Sequence, residues 1–112
     1  MMTTEKIQSL IQESIQTKQW LLEDKALLRN IERAVNMIEE ALRAGKKILL
    51  FGNGGSAADA QHFAAELVGR FKQNQKALPA ISLVTDTSIL SGISNDFGYD
   101  YIFSKQIEAV GS

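Results

Sequence analysis

Residues 47–62 read KILLFGNGGSAADAQH, and the hydrophobic pattern of the chain changes its period within this stretch. The apolar run 47–51 has the length and flanks of a buried strand, and the glycine-rich turn 52–55 closes it. An alanine-rich pattern of helical period follows from Ser56. At such a turn, backbone N–H groups and the helix dipole together favour an anion, most often a phosphate. The stretch therefore predicts an α/β protein with an anion site at a strand-to-helix turn.

Two amphipathic helices are expected before this strand. The first carries apolar residues at helical spacing over 4–22, and the second begins after Asp24, a predicted N-cap. The second helix should stop at Gly45, after the cation Arg43 in its last turn. Their apolar faces must pack on each other, on a sheet or on another copy of the chain.

Further elements are expected after the glycine-rich turn. The third helix should run to about Phe71, followed by a surface loop to Lys76. A second strand is predicted over 80–84, then a short helix over 89–94, a turn at 95–98 and a last helix from about Tyr101. The predicted order of elements is therefore α-α-β-α-β-α-α.

A strand–helix–strand unit of this length implies parallel strands joined by a right-handed crossover. The strand of residues 47–51 is expected to be buried on both faces. A doubly wound sheet normally holds about five strands, and only two are predicted here. We therefore expect the rest of the sheet to come from another chain or from residues beyond this sequence.

Composition excludes several classes of function. The chain has 112 residues, 12 basic and 13 acidic side chains, one His and no Cys, and 45% of its residues are hydrophobic. Without cysteine there is no disulfide framework, no thiolate zinc site and no thiol nucleophile. The net charge of −1 gives no electrostatic footprint for nucleic acid or a membrane surface. With no apolar run near the roughly 20 residues of a membrane span and no signal peptide, a soluble cytoplasmic protein is expected.

The candidate anion-binding residues are those of the glycine-rich turn, namely Asn53, Gly54, Gly55 and Ser56. Asn53 tolerates a positive φ and offers an amide donor, and Ser56 can donate to a phosphate oxygen. A structural alternative is a capping box formed by Ser56 and Asp59. The G-x-G-x-x-A spacing also fits a dinucleotide fingerprint, but the ribose-binding acid expected about 20 residues on is missing. A smaller phosphorylated ligand is therefore favoured.

His62 and Glu66 are four residues apart and should share one face of the third helix, with Arg70 next along the row. The pair could supply an imidazole and a carboxylate to a divalent metal. Alternatively, Glu66 could be a general base that His62 or Arg70 orients, or the residues could form an ordinary solvated pair. Further metal ligands would have to come from outside this sequence.

Asn95 and Asp96 form the third candidate site. They could bond their own backbone in a turn, or they could contact a ligand near the carboxyl edge of the sheet, where open α/β sheets bind their ligands.

Together, the segment FGNGGSAADAQHFAAELVGRF at 51–71 closely resembles the phosphoheptose isomerases of the sugar isomerase (SIS) domain superfamily. The likeness continues through LPAISL at 78–83, NDFG at 95–98 and FSKQ at 103–106. It implies an SIS-type doubly wound, flavodoxin-like parallel sheet, of which residues 46–112 are only the N-terminal part, truncated before the third strand. It also implies that the helical pair 1–45 serves oligomerisation, since family members are homotetramers with active sites shared between subunits.

The resemblance also implies an activity. Such enzymes convert D-sedoheptulose 7-phosphate to D-glycero-D-manno-heptose 7-phosphate, which supplies heptose for bacterial surface polysaccharide. His62 and Glu66 match two ligands of a zinc ion, and Glu66 also matches the acid/base carboxylate. The positions that match the family's substrate contacts are Asn53, Gly54, Gly55, Asn95 and Asp96, and the predicted substrate-binding set is completed by Ser56 and Glu66.

The family's second phosphate loop and its remaining zinc ligands, a Gln and a His, have no counterpart in these 112 residues. We therefore expect the chain in isolation to be inactive and incompletely folded. Two alternatives stay open. One is a non-enzymatic SIS protein that binds a replication initiator, a group that lacks a Glu at the position of Glu66. The other is an SIS paralogue that acts on a different sugar phosphate.

Overall fold

The structure, a computed structural model, describes residues 1–69 and 76–112. The predicted order of helices and strands is confirmed. The elements are α1 (Thr4–Glu23), α2 (Lys25–Arg43), β1 (Ile48–Leu50), α3 (Gly55–Val68), β2 (Ala80–Ser82), α4 (Thr87–Asp96), a 3-10 turn (Tyr99–Tyr101) and α5 (Ser104–Val110). The expectations for Arg70, for a helix end near Phe71 and for the loop over 72–75 fall outside the described residues. In the described ranges, no helix is long and apolar enough to cross a membrane.

The contacts divide the chain into two units, Met1–Met37 and Ile38–Ser112. In the first unit, the predicted N-cap of α2 is confirmed, because Asp24 Oδ1 accepts a hydrogen bond of 3.0 Å from Leu27 N–H. Neither α1 nor α2 contains a buried residue. Their apolar stripe includes Ile11 and Val35, which are 57% and 55% exposed. The stripe is thus open along both helices.

The second unit is built on a short parallel sheet. Ile48 pairs with Ala80 and Leu50 with Ser82, so the predicted parallel pairing of β1 and β2 is confirmed. Helix α3 forms the crossover and contacts both strands. Its buried residues, Ala60 and Ala64, have side chains small enough to let the helix axis lie close to the sheet.

The expectation that β1 is buried on both faces is wrong for this structure. All three of its residues are only half-buried. The reason is the size of the sheet, which has two strands within residues 1–69 and 76–112 and therefore covers β1 incompletely.

A buried amide ties α5 to the carboxyl end of β2. Gln106 Nε2 donates to Leu83 O at 2.9 Å and to Ile102 O at 2.8 Å. Leu83 and Ile102 are themselves buried, so the amide lies within the core of the second unit. Because both donors of the amide nitrogen have carbonyl partners, burying this polar group carries little desolvation cost.

Helix α4 is longer than the sequence predicts. It begins after Asp86, whose Oδ1 accepts a hydrogen bond of 3.0 Å from Ile89 N–H, and it extends to Asp96. Asn95 and Asp96 are therefore its last two residues, and the prediction that both lie in a turn is wrong. The chain reverses instead at Gly98, which has a φ of +110°.

Gly52 is the point at which the end of β1 meets the start of α3. A Cβ at this position would lie 2.6 Å from Ser56 Cβ and 2.9 Å from the Ser56 carbonyl oxygen. Real Cβ atoms do not approach other heavy atoms this closely, so only glycine allows the helix to start where it does. The turn that follows depends on this contact.

Replacing Gly52 by Ala should therefore destabilise the protein by about 1–3 kcal/mol, the usual cost of overpacking. Gly55→Ala is the matched control, because a Cβ at Gly55 meets nothing within 4 Å. Thermal unfolding followed by circular dichroism measures both variants. Equal melting temperatures for the Gly52→Ala variant and the wild type would contradict the packing argument.

Candidate functional site

A cavity of about 390 Å³ opens beside the carboxyl end of β1. The turn 52–54 forms one wall, and α4 and the 3-10 turn form others. Phe103, which also lines the cavity, packs its ring 4.8 Å from the ring of Phe51 and so joins the end of β1 to the start of α5. The polar side chains in the lining are uncharged; they belong to Asn53, Thr87, Ser91, Ser94 and Tyr99.

The glycine-rich turn presents backbone donors at this cavity. Gly54 is the N-cap of α3, with a φ of +57° and no side-chain cap. Ser56 N–H donates to Asn53 O at 3.0 Å, and Ala57 N–H donates to Gly54 O at 3.1 Å. Among residues 1–69 and 76–112, no backbone carbonyl accepts from the N–H of Gly54 or Gly55, so both N–H groups are available to a ligand at the positive end of the helix dipole. An oxyanion is the ligand that such a turn favours.

The capping box considered for Ser56 and Asp59 is wrong. Helix α3 starts one residue earlier than that motif requires, at Gly55, so Ser56 lies inside the first turn instead of at the N-cap.

One face of α4 supplies hydroxyl groups that the sequence analysis missed. Thr87, Ser91 and Ser94 line the cavity together with Leu90, at the i, i+3, i+4, i+7 spacing of a single helical face. Ser91 Oγ donates to Thr87 O at 2.6 Å. The sequence does contain the pattern, since three hydroxyl residues at this spacing follow the cap at Asp86. The predicted helix starts at residue 89, which leaves Thr87 outside it and the three hydroxyl residues without a common face.

Tyr99 was also missed, and the sequence contains no local pattern that would identify it. Its hydroxyl donates to Oδ1 of Asn53, a residue far away along the chain. The contact forms because the backbone reverses at Gly98, which places the 3-10 turn against the glycine-rich turn. Both Tyr99 and Asn53 line the cavity.

His62 and Glu66 lie together on α3. His62 Nε2 is 3.0 Å from Glu66 Oε1, and their side chains are 76% and 30% exposed. An imidazole nitrogen and a carboxylate oxygen on successive turns of one helix are compatible with two ligands of one divalent ion. Within residues 1–69 and 76–112, no group of three or more His, Cys, Asp or Glu residues could hold a metal. The pair therefore fits a metal centre only as part of its ligand set.

Asn95 and Asp96 occupy the exposed end of α4, where Asn95 Nδ2 donates to Asp96 Oδ1 at 3.1 Å. Neither lines the cavity. Of the predicted site residues, the lining contains Asn53 and Gly54. The others do not line it, and they lie at three places in the fold, which are the first turn of α3 (Gly55, Ser56), its third and fourth turns (His62, Glu66) and the end of α4 (Asn95, Asp96).

Comparison with known proteins adds a family match. The sequence model of the SIS domain family matches residues 6–110 of the chain. A phosphoheptose isomerase of Geobacter sp. (strain M21) is 66% identical over 79 residues, which cover 70% of this chain and 41% of the relative.

Two solved structures are similar in fold. The phosphoheptose isomerase GmhA of Neisseria gonorrhoeae has a TM-score of 0.83 at 44% identity, over 96% of this chain and 54% of the other. A phosphoheptose isomerase of Francisella tularensis has a TM-score of 0.88 at 36% identity, over 100% of this chain and 58% of the other. The chain thus spans about half the length of the relatives it matches.

Proposed function

This chain belongs to the SIS domain family, and from that premise we propose that it carries the substrate-binding turn and the catalytic carboxylate of a phosphoheptose isomerase. The reaction is the conversion of D-sedoheptulose 7-phosphate to D-glycero-D-manno-heptose 7-phosphate, in the cytoplasm, for heptose of bacterial surface polysaccharide. The observation that carries the proposal is the cavity of neutral donors at the uncapped start of α3, with a carboxylate–imidazole pair on the same helix.

The binding end of the site suits a phosphorylated polyol. The oxygens of such a ligand accept hydrogen bonds. The cavity offers donors for them, which are N–H groups at the glycine-rich turn and O–H groups on α4. We assign Asn53, Gly54, Gly55 and Ser56 to substrate binding, as well as Asn95 and Asp96 from the exposed end of α4. Holding the remote part of the substrate allows its binding energy to orient the reacting end.

Glu66 is the proposed acid/base residue. Isomerisation of a ketose to an aldose removes the proton on C1 and returns a proton to C2 through an enediol, while a hydroxyl proton moves from O1 to O2. The Glu66 carboxylate accepts the first proton and donates it back. His62 Nε2 lies 3.0 Å from Glu66 Oε1, and this contact orients the carboxylate as long as no metal ion is bound to the pair.

We also propose that the His62 and Glu66 side chains are two ligands of a zinc ion, with the remaining ligands outside the described residues. Such an ion would stabilise negative charge on the enediol oxygens. The exposed imidazole and the carboxylate beside it are the donor types that zinc prefers.

The apolar stripe of α1 and α2 supports a homo-oligomer, which we propose to be a tetramer. A helix pair of this length with half-exposed Ile11 and Val35 gains stability by covering that face with another copy. Neither nucleic acid nor a membrane surface is proposed as a partner, since the net charge is −1.

The first test replaces Glu66 by Gln, which keeps the size of the side chain but removes its basicity. In a full-length version of the protein, turnover of sedoheptulose 7-phosphate, followed by NMR, should fall by at least about 100-fold, the usual contribution of a general base. Exchange of the C1 proton in D₂O should fall in parallel, while the oligomeric state stays the same. The control is Glu108→Gln, on the exposed face of α5.

Full turnover by the Glu66→Gln variant would show that this carboxylate is not the base. Absence of turnover in the wild type itself would favour the non-enzymatic SIS class or a different reaction. Turnover of another sugar phosphate in preference to sedoheptulose 7-phosphate would assign the chain to a paralogous isomerase.

The second test concerns the zinc ligands. His62→Ala should weaken Zn²⁺ binding by about tenfold or more, because even the residues behind the ligands of a metal contribute 10–100-fold to affinity. Isothermal titration of the metal-free protein with Zn²⁺ measures this effect. Gln61→Ala, at the neighbouring exposed position, is the control. If both variants bind Zn²⁺ as tightly as the wild type does, the assignment of His62 is incorrect.

A further inference from the structure

We propose that Tyr99 is a positioning residue of the sugar-phosphate site, because its hydroxyl fixes the side-chain amide of Asn53 in the orientation that donates hydrogen bonds to the ligand. The inference rests on the proposed function in one respect, which is that the turn containing Asn53 binds a phosphorylated sugar. Tyr99 lies outside the glycine-rich turn and is not one of the site residues that the sequence predicts.

The hydrogen bond itself has a defined direction. The Tyr99 hydroxyl donates and Asn53 Oδ1 accepts. An asparagine amide has one acceptor oxygen and one nitrogen with two donors. With its oxygen bound to Tyr99, Asn53 has its NH₂ group left for a ligand. Both side chains line the same cavity, so this choice decides which chemistry the cavity offers at that point.

The direction matters because the ligand class has a definite polarity. Phosphate oxygens are hydrogen-bond acceptors only, so they gain a hydrogen bond from the NH₂ group and are repelled by the Oδ1 atom. Without Tyr99, the amide could rotate and present either end, and binding would have to restrict that rotation. Tyr99 restricts it before the ligand arrives, which is a gain from preorganisation.

The position of Tyr99 in the fold supports this role. It is the first residue of the 3-10 turn and directly follows Gly98, whose φ of +110° is a conformation that favours glycine. The hydroxyl contact therefore joins the turn after β1 to the segment after α4. This hydrogen bond links two walls of the cavity.

Tyr99→Phe removes only the hydroxyl and so tests the proposal directly. In the purified protein, the side-chain NH₂ resonances of Asn53 should shift in the ¹H–¹⁵N spectrum, with their assignment given by their loss in Asn53→Ala. The affinity for sedoheptulose 7-phosphate, measured by calorimetry, should fall about three- to tenfold, as expected for one hydrogen bond. Tyr101→Phe is the matched control, since Tyr101 lies in the same 3-10 turn, is exposed and does not line the cavity.

A double-mutant cycle separates positioning from direct contact. If Tyr99 acts through Asn53, Tyr99→Phe should have no further effect on affinity in the Asn53→Ala background. An equal loss of affinity in both backgrounds would show that the hydroxyl contacts the ligand itself, and the proposal would be wrong. Unchanged Asn53 resonances in Tyr99→Phe would also overturn it.

Failure of the proposed function gives a different result. In that case the wild type does not bind sedoheptulose 7-phosphate, and inorganic phosphate becomes the probe. A three- to tenfold weaker binding of inorganic phosphate by Tyr99→Phe would then sustain the positioning role. Equal binding of phosphate by Tyr99→Phe and the wild type would overturn it.

Discussion

The close approach of Gly52 to Ser56 is the constraint on which the candidate site depends. Because a Cβ at Gly52 would lie 2.6 Å from Ser56 Cβ, the first turn of α3 can lie directly against the end of β1 only when residue 52 is glycine. That contact makes Gly54 the N-cap and places the uncapped N–H groups at the cavity. It also fixes where α3 begins, and His62 and Glu66 lie about two and about three turns after that start.

In the proposed function, the site binds an anion without a charged side chain in the cavity lining. The positive end of the α3 dipole, equivalent to about half a charge, takes the place of a lysine or arginine. Neutral donors have one advantage in a sugar-phosphate site, because they also pair with hydroxyl groups and carbonyl oxygens. Their disadvantage is that each one must point in the right direction. The hydrogen bond from Tyr99 to Asn53 matters for this reason, because it orients one of these donors.

The local sequence pattern predicts the order of the elements, the glycine-rich turn at the start of α3 and the His62–Glu66 pair on that helix. The alternation of strand, glycine-rich turn and helix is encoded in neighbouring residues, and the His62–Glu66 pair follows from helical spacing alone. One error arises where neighbouring residues compete. Asn95 and Asp96 have turn propensity, but the helix capped by Asp86 continues through them.

The parts of the site that could not be predicted depend on contacts between distant segments. Tyr99 meets Asn53 only after the chain has reversed at Gly98 and the buried amide of Gln106 has drawn α5 onto the end of β2. No periodicity in the sequence reports such a contact. The hydroxyl face of α4 could be predicted only in part. The spacing of its residues is visible in the sequence, but only the packing of the helix beside the glycine-rich turn shows that this face lines the cavity.

In the proposed reaction, α3 connects binding to chemistry. The helix separates the backbone of Gly55 from that of Glu66 by about 16.5 Å along its axis, at 1.5 Å per residue, and the Glu66 side chain tilts back towards the turn. Inorganic phosphate cannot contact both ends, whereas a seven-carbon sugar with a terminal phosphate is an elongated ligand. A rigid helix between the two sites therefore selects for length as well as charge. Binding energy gained at the phosphate end can then be used to orient the carbon atoms that exchange the proton, so shorter sugar phosphates should lose turnover more than affinity.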